Sequence, residues 1–326
     1  MTAGACNDSL QEIFKYELCS YPSSLFDAKY APRPANKAAL GDALWNLLPP
    51  NMIQPSGYIQ YILDGGALLH RLPWHRGTTF AGLCRHHTSY VKTRYGKPIV
   101  VFDGYNDGPS TKDMTHQRRV GRYIGATVHF STSMCLSSKK EEFLCNKDNK
   151  QWFITMLSDQ LKQHGCAIKH AKGDADILLV KTVIDAASSS DKHTVLVGDD
   201  TYLIVLLSYH SKDATSEIFF RPEARQEAKK PPRCWSMALV RAVLGQEVCQ
   251  HMPFTHAILG CDTTSRIFGL GKGVALKPIK KNELFVQQAR VFLQPGMRKE
   301  TIITAGETAI VCLYNGQPGE GLDKLR

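Results

Sequence analysis

The sequence predicts an α/β fold, with a central, mostly parallel sheet covered on both faces and a helical C-terminal part. Two observations predict it. Four short apolar runs each end at an aspartate: Tyr61-Ile62-Leu63-Asp64, Val100-Val101-Phe102-Asp103, Val195-Leu196-Val197-Gly198-Asp199-Asp200 and Ala257-Ile258-Leu259-Gly260-Cys261-Asp262. Short runs rich in β-branched residues read as buried strands. Helix-like stretches separate them, and alternation of strand and helix implies parallel pairing with crossovers.

The elements follow in order. Residues 1–55 read as an N-terminal extension punctuated by Pro32, Pro34, Pro49, Pro50 and Pro55. Asn7-Asp8-Ser9 can cap a helix over Leu10 to Leu18, and a second helix fits Lys37 to Leu48. The core, residues 56–261, begins with a strand ending at Asp64. A helix over Thr79 to Tyr95 stops at Gly96, and a strand runs from Ile99 to Asp103. After the turn Gly104 to Pro109, Ser110 caps a helix carrying Lys112, Arg118, Arg119 and Arg122. Helices are expected over Lys150 to Gln163, Asp174 to Ala187, Thr201 to His210 and Trp235 to Cys249. Strands are expected over Ala167 to His170, Thr194 to Val197, Glu217 to Phe220 and His256 to Leu259. Residues 262–326 read as a helical part of the same domain, including Glu283 to Leu293 and Glu300 to Tyr314. The chain ends at Arg326 shortly after a helix, as a fragment of a longer protein would.

Composition narrows the function classes. A chain of 326 residues with 43% hydrophobic and 21% charged residues can bury a full core. The longest apolar run, Leu203 to Leu207, falls far short of the roughly 20 residues of a membrane span. Met1 to Leu18 carries Asp8, Glu12 and Glu17 and does not read as a secretory signal. Ten cysteines occur with no Cys-x-x-Cys pair, which fits reduced thiols inside a cell. Cys84-Arg85-His86-His87 is the one tight Cys/His cluster, and it lacks a second ligand pair at zinc-finger spacing. A net charge of +10, despite the acids gathered at strand ends, points to a polyanionic partner.

The acids carry the chemistry. In an open α/β sheet, ligands gather at the carboxyl ends of the strands. Asp64, Asp103, Asp200 and Asp262 fall there, and Gly173-Asp174-Ala175-Asp176 opens an apolar helix. One Asp at such a place caps a helix, but several together repel unless a cation lies among them. Oxygen-only ligands favour Mg²⁺ or Mn²⁺, and a pair of such ions suits phosphodiester hydrolysis. Lys112 and Arg119, seven apart on one helical face, can neutralise the phosphate. Gly269-Leu270-Gly271-Lys272 forms a Gly-x-Gly turn whose N–H groups can cradle a phosphate. It is not a Walker P-loop. A phosphatase acting on small esters also fits a sheet with acids at strand ends, but the basic charge disfavours it. No Gly-x-Ser-x-Gly elbow exists for a serine hydrolase.

Taken in order, Ile62-Leu63-Asp64, Val101-Phe102-Asp103-Gly104, Asp174-Ala175-Asp176, Gly198-Asp199-Asp200-Thr201 and Gly260-Cys261-Asp262 resemble the flap endonuclease/XPG branch of the PIN-like nucleases. Phe268 to Gly273 is similar to that family's helix–two-turn–helix, and the resemblance spans roughly residues 58 to 285. Asp64 to Arg71 and His256 to Lys272 look more closely like uncharacterised, mobile-element-associated animal proteins with a PIN-like domain. The resemblance implies a PIN-like three-layer fold and metal ligands at Asp64, Asp103, Asp174, Asp176, Asp200 and Asp262. It also implies duplex contacts at Gly269, Gly271 and Lys272 and branched or free-ended DNA as substrate; that substrate class and the basic charge together suggest a nuclear location. Lys112 and Arg119 match the spacing of the family's phosphate-contacting pair but lie slightly further from Asp103. There are departures. The family's Glu-x-Glu is Asp174-Ala175-Asp176 here, its second acid after the next strand is replaced by Tyr202, and its N-terminal motif is absent. The function expected is a metal-dependent nuclease. The alternative, favoured by Tyr202, is a weak or inactive nucleic-acid-binding module on the same fold.

Overall fold

The computed structural model describes residues 21, 25–27, 30–50, 54–104, 125–223, 233–279, 282–317 and 319–322. The helix proposed over Leu10 to Leu18 and the basic helix after Ser110 lie outside them. The chain divides into two compact units. One is Trp45–Gly245, and the other joins Met1–Leu44 to Gln246–Arg326.

Among the described residues, the first unit is built on six strands: β1 (Ile59–Asp64), β2 (Ile99–Phe102), β3 (Ala167–His170), β4 (His193–Val197), β5 (Ile218–Arg221) and β6 (Trp235–Ser236). Their order is β3-β2-β1-β4-β5-β6, all parallel except β6, which is antiparallel to β5. Parallel sheets bury both faces, so these strands read as continuous apolar runs. Leu63, Val100, Val195, Val197 and Phe219 face one side. Ile62, Val101, Leu196 and Phe220 alternate with them and are equally buried.

Helices cover the sheet. Helix α1 (Ala38–Leu47) lies near the start of the described chain. Between β1 and β2 come α2 (Gly65–Arg71) and α3 (Phe80–Tyr95), and before β3 come α4 (Lys140–Cys145) and α5 (Lys147–Gln163). Leu83 and Val91 of α3 and Phe153, Leu157 and Leu161 of α5 join the core on the Leu63 side. The other connections are α6 (Asp176–Ser188), α7 (Tyr202–His210) and α8 (Met237–Leu244), with α6 packed on β1 and β4.

The second unit contains α9 (Gln246–Ile258), α10 (Lys272–Ile279), α11 (Glu283–Leu293) and α12 (Lys299–Leu313). Phe254, Leu259, Ile267, Phe285, Ala289, Ala309 and Leu313 form its core.

Two expectations are corrected. The single helix expected over Trp235 to Cys249 is β6, α8 and part of α9, broken at Gly245, which caps α8 with φ of +85°. The strand expected over His256 to Leu259 is the end of α9 and the turn after it. A four-residue apolar run fits a buried helix end as well as a strand. Asp262 therefore follows a helix, and three strands, not four, end at one of these acids. No helix among the described residues is long and apolar enough to cross a membrane.

Candidate metal and phosphate site

The strand order reverses between β1 and β4, and a sheet of this topology opens its crevice there, at the carboxyl ends. Asp64 closes β1 at that point and caps α2. Its Oδ1 accepts the N–H groups of Gly66 (2.8 Å) and Ala67 (3.2 Å). Asp103 follows the neighbouring strand β2. A side chain on Gly66 would put its Cβ 3.2 Å from Asp64 Oδ1 and 3.5 Å from Asp103 Oδ2. The two carboxylate oxygens therefore lie within about 7 Å of each other, close enough to share a hydrated cation. Burial pushes the Asp64 carboxyl up to about 6, and the charge of Asp103 adds to the rise. The two N–H bonds oppose it, and Asp199 adds a smaller increment. A carboxylate in this position favours a positive neighbour, not a phosphate.

Asp103 also anchors the third acidic segment. Its Oδ1 accepts the N–H of Ala175 at 2.9 Å, between Asp174 and Asp176. Gly104 adds a second tie, its N–H donating to Gly173 O at 2.8 Å. Only glycine fits at 104, because a Cβ there would stand 2.2 Å from the carbonyl oxygen of Ala171. Asp174 Oδ1 accepts the N–H of Asp176, which opens α6.

Asp200 follows β4, and its Oδ1 accepts the N–H of Tyr202 at 2.9 Å. The adjacent Asp199 is held by Arg71, whose Nη2 donates to both carboxylate oxygens at 2.8 and 2.5 Å. It also accepts the N–H of Glu223 at 3.3 Å. Glu223 is buried and takes the hydroxyls of Tyr90 (2.6 Å) and Tyr95 (2.5 Å) on one oxygen. Burial, and then the Glu223 contact, push the Tyr90 hydroxyl up to about 12.

The structure thus sets Asp64 beside Asp103, ties Asp174 and Asp176 to Asp103, and sets Asp200 after the adjoining strand. Among the described residues, no three such side chains converge closely enough to ligate one ion directly. Asp262 lies in the second unit, where Lys37 pairs with it at 3.0 Å. Lys112 and Arg119 lie outside the described residues. Gly269, with φ of +72°, Gly271 and Lys272 line a 290 Å³ pocket with Arg266 and Phe268. Lys272, expected to offer its charge to a phosphate, is buried with Nζ 2.9 Å from His256 Nδ1.

Cys84 and His87 are buried, and burial raises the thiol to about 12 and lowers the imidazole to about 4. The eight described cysteines are free thiols. The sequence reading missed Arg71, Glu223 and Gly66. The available signal was Asp64-Gly65-Gly66, two glycines directly after an acid that ends a strand.

No family model and no curated protein matches this chain. Among solved structures, it is similar to the catalytic core of Rad2 in complex with DNA substrate, at 13% identity and a TM-score of 0.42 over 82% of this chain and 78% of that one. Human GEN1 in complex with Holliday junction DNA is 16% identical, with a TM-score of 0.46 over 82% and 62%. A eukaryotic junction-resolving enzyme, GEN-1, binding caesium is 15% identical, with a TM-score of 0.42 over 84% and 52%. The chain spans between half and two thirds of those two GEN1 chains. TM-scores below 0.5 leave the assignment to this chain's own residues.

Proposed function

We propose that this chain is a PIN-like, metal-dependent nuclease that hydrolyses phosphodiester bonds in DNA. One observation carries the proposal: Asp64 and Asp103 lie close together at the switch point of the sheet, and the Asp64 carboxyl is raised to about 6. An all-oxygen, all-carboxylate donor set fits Mg²⁺ or Mn²⁺. Asp64, Asp103, Asp174, Asp176 and Asp200 would hold the ions, some of them through water, since no three meet at direct ligand distance. Bound there, a pair of ions supplies an activated water and a counter-charge for the leaving oxygen.

The chain's own residues do the positioning. The two N–H donors of α2 orient Asp64, and Asp103 fixes the loop that carries Asp174 and Asp176. Lys112 and Arg119 are proposed to neutralise the phosphate. Branched or free-ended DNA as substrate and a nuclear location belong to the same proposal.

A second reading has a specific observation behind it. Tyr202 stands where a further acid would complete the set, and the carboxylate of Asp199 is already matched by Arg71. A chain so depleted would bind nucleic acid without cutting it.

Labelled flap, four-way-junction, duplex and single-stranded oligonucleotides, with Mg²⁺ or Mn²⁺, separate the two. Asp103→Asn keeps the oxygen that holds Ala175 and removes the charge. Cleavage by the wild type and none by the variant supports the nuclease. Binding without cleavage under either ion leaves the binding module.

A further inference from the structure

We propose that the outer face of α3 is a docking track for the phosphate backbone of duplex DNA, separate from the acidic edge. This rests on the nucleic-acid reading above and adds a surface to it.

Helix α3 spans sixteen residues, Phe80–Tyr95, and none is acidic. Its exposed residues include Arg85, His86, Ser89, Lys92 and Thr93. At 100° per residue, Arg85, Ser89 and Lys92 fall in one row, with His86 and Thr93 along one flank. Each of these side chains can donate a hydrogen bond to a phosphate oxygen. Among the described residues, neither Arg85 nor Lys92 has a carboxylate at ion-pair distance. A helix face that is merely solvated carries acids among its cations, which support it at i,i+4. This one carries only donors.

The direction of α3 gives the row a use. It joins two parallel strands, so it runs back against them. Its first turn therefore lies toward the edge holding Asp64 and Asp103, and its last toward the opposite edge. His75 and Arg76, both exposed, extend the basic surface in the loop before the helix. Arg85 and Lys92 are about 10 Å apart along the axis, the rise of about three phosphates on one strand. A duplex lying on this row would be led along the flank of the sheet toward the acids.

The test is binding without cleavage. Fluorescence anisotropy of a labelled duplex in EDTA, from 50 to 300 mM salt, compares the wild type with Arg85→Gln/Lys92→Gln. Lys212→Gln, altering an exposed lysine beside the opposite helical layer, is the control. The double variant should flatten the plot of log Kd against log salt by about 2, at about 0.9 for each lost contact. Its Kd should rise tenfold or more at 100 mM salt, with circular dichroism unchanged. The control should overlay the wild type. An unchanged slope in a folded double variant, with the wild type binding, overturns the track and leaves the nuclease proposal standing. A wild type that binds no duplex overturns the track, and the flap and junction cleavage assay decides the nuclease proposal separately. Arg85→Glu/Lys92→Glu guards against a small effect, since reversed charge at a true contact must weaken binding further.

Discussion

Asp64→Asn should make the metal-free protein more stable, although it removes a central member of the acidic set. The wild-type carboxyl titrates at about 6 in the folded chain against 3.8 as its ordinary value. Below 3.8 it is protonated in both states and burdens neither. Above about 6 the folded state must hold a charge disfavoured by burial and by Asp103. Stability is therefore lost as pH rises between these values, by up to about 3 kcal/mol in full. Asn has no charge to hold, and its Oδ1 can still accept from Gly66 and Ala67, because Asn caps helices as well as Asp does. The lost helix-dipole attraction, and screening at a half-buried site, bring the expected gain to about 2 kcal/mol at pH 7.5. At pH 5 roughly half of it should remain. Urea unfolding of both proteins in EDTA at the two pH values measures this. A variant less stable at pH 7.5, or a gain equal at both values, would refute the claim that buried charge strains this site.

Other outcomes follow from neighbouring contacts. Mn²⁺ should raise the Tm of the wild type more at pH 7.5 than at pH 5.5, where a protonated Asp64 competes, and a fluorimetric melt reads the difference; ion at 100 times its Kd is worth about 2.7 kcal/mol. Gly104→Ala should cost about 2 kcal/mol or more in urea unfolding and weaken Mn²⁺ binding by calorimetry, because its Cβ would meet the backbone at Ala171. Glu223→Gln should bring the Tyr90 hydroxyl down from about 12, since the like charge beside it is gone, and an ultraviolet titration at alkaline pH shows the shift.

Much of the sheet was legible in the sequence, and for a physical reason. Strands buried on both faces must be apolar along their length, so β1, β2 and β4 stand out as runs that stop at an acid. Ala257-Ile258-Leu259 has the same look but ends α9, because a run this short lacks the length to tell the two periods apart. Helix α2 was hidden by Gly65-Gly66, which reads as a turn. At the site, the acids were legible as residue types after strands. Their partners were not: Arg71 meets Asp199 across 128 positions, and Glu223 meets Tyr90 across 133. No local pattern encodes such contacts. Lys272 shows the limit from the other side. A lysine in a glycine-rich turn reads as surface charge, yet its stem is buried and its ammonium finds His256.

The ends of the sheet have a consequence of their own. A long, bare outer strand invites another chain to zip onto it. Among the described residues, one outer strand, β6, is two residues long and runs against its neighbour, and the other, β3, is four residues long with Lys169 within it. Neither offers a stretch on which a foreign strand could gain a firm hold. For a chain that binds DNA as proposed above, local concentrations on the polymer run high, and brevity at both margins is a guard against clumping there.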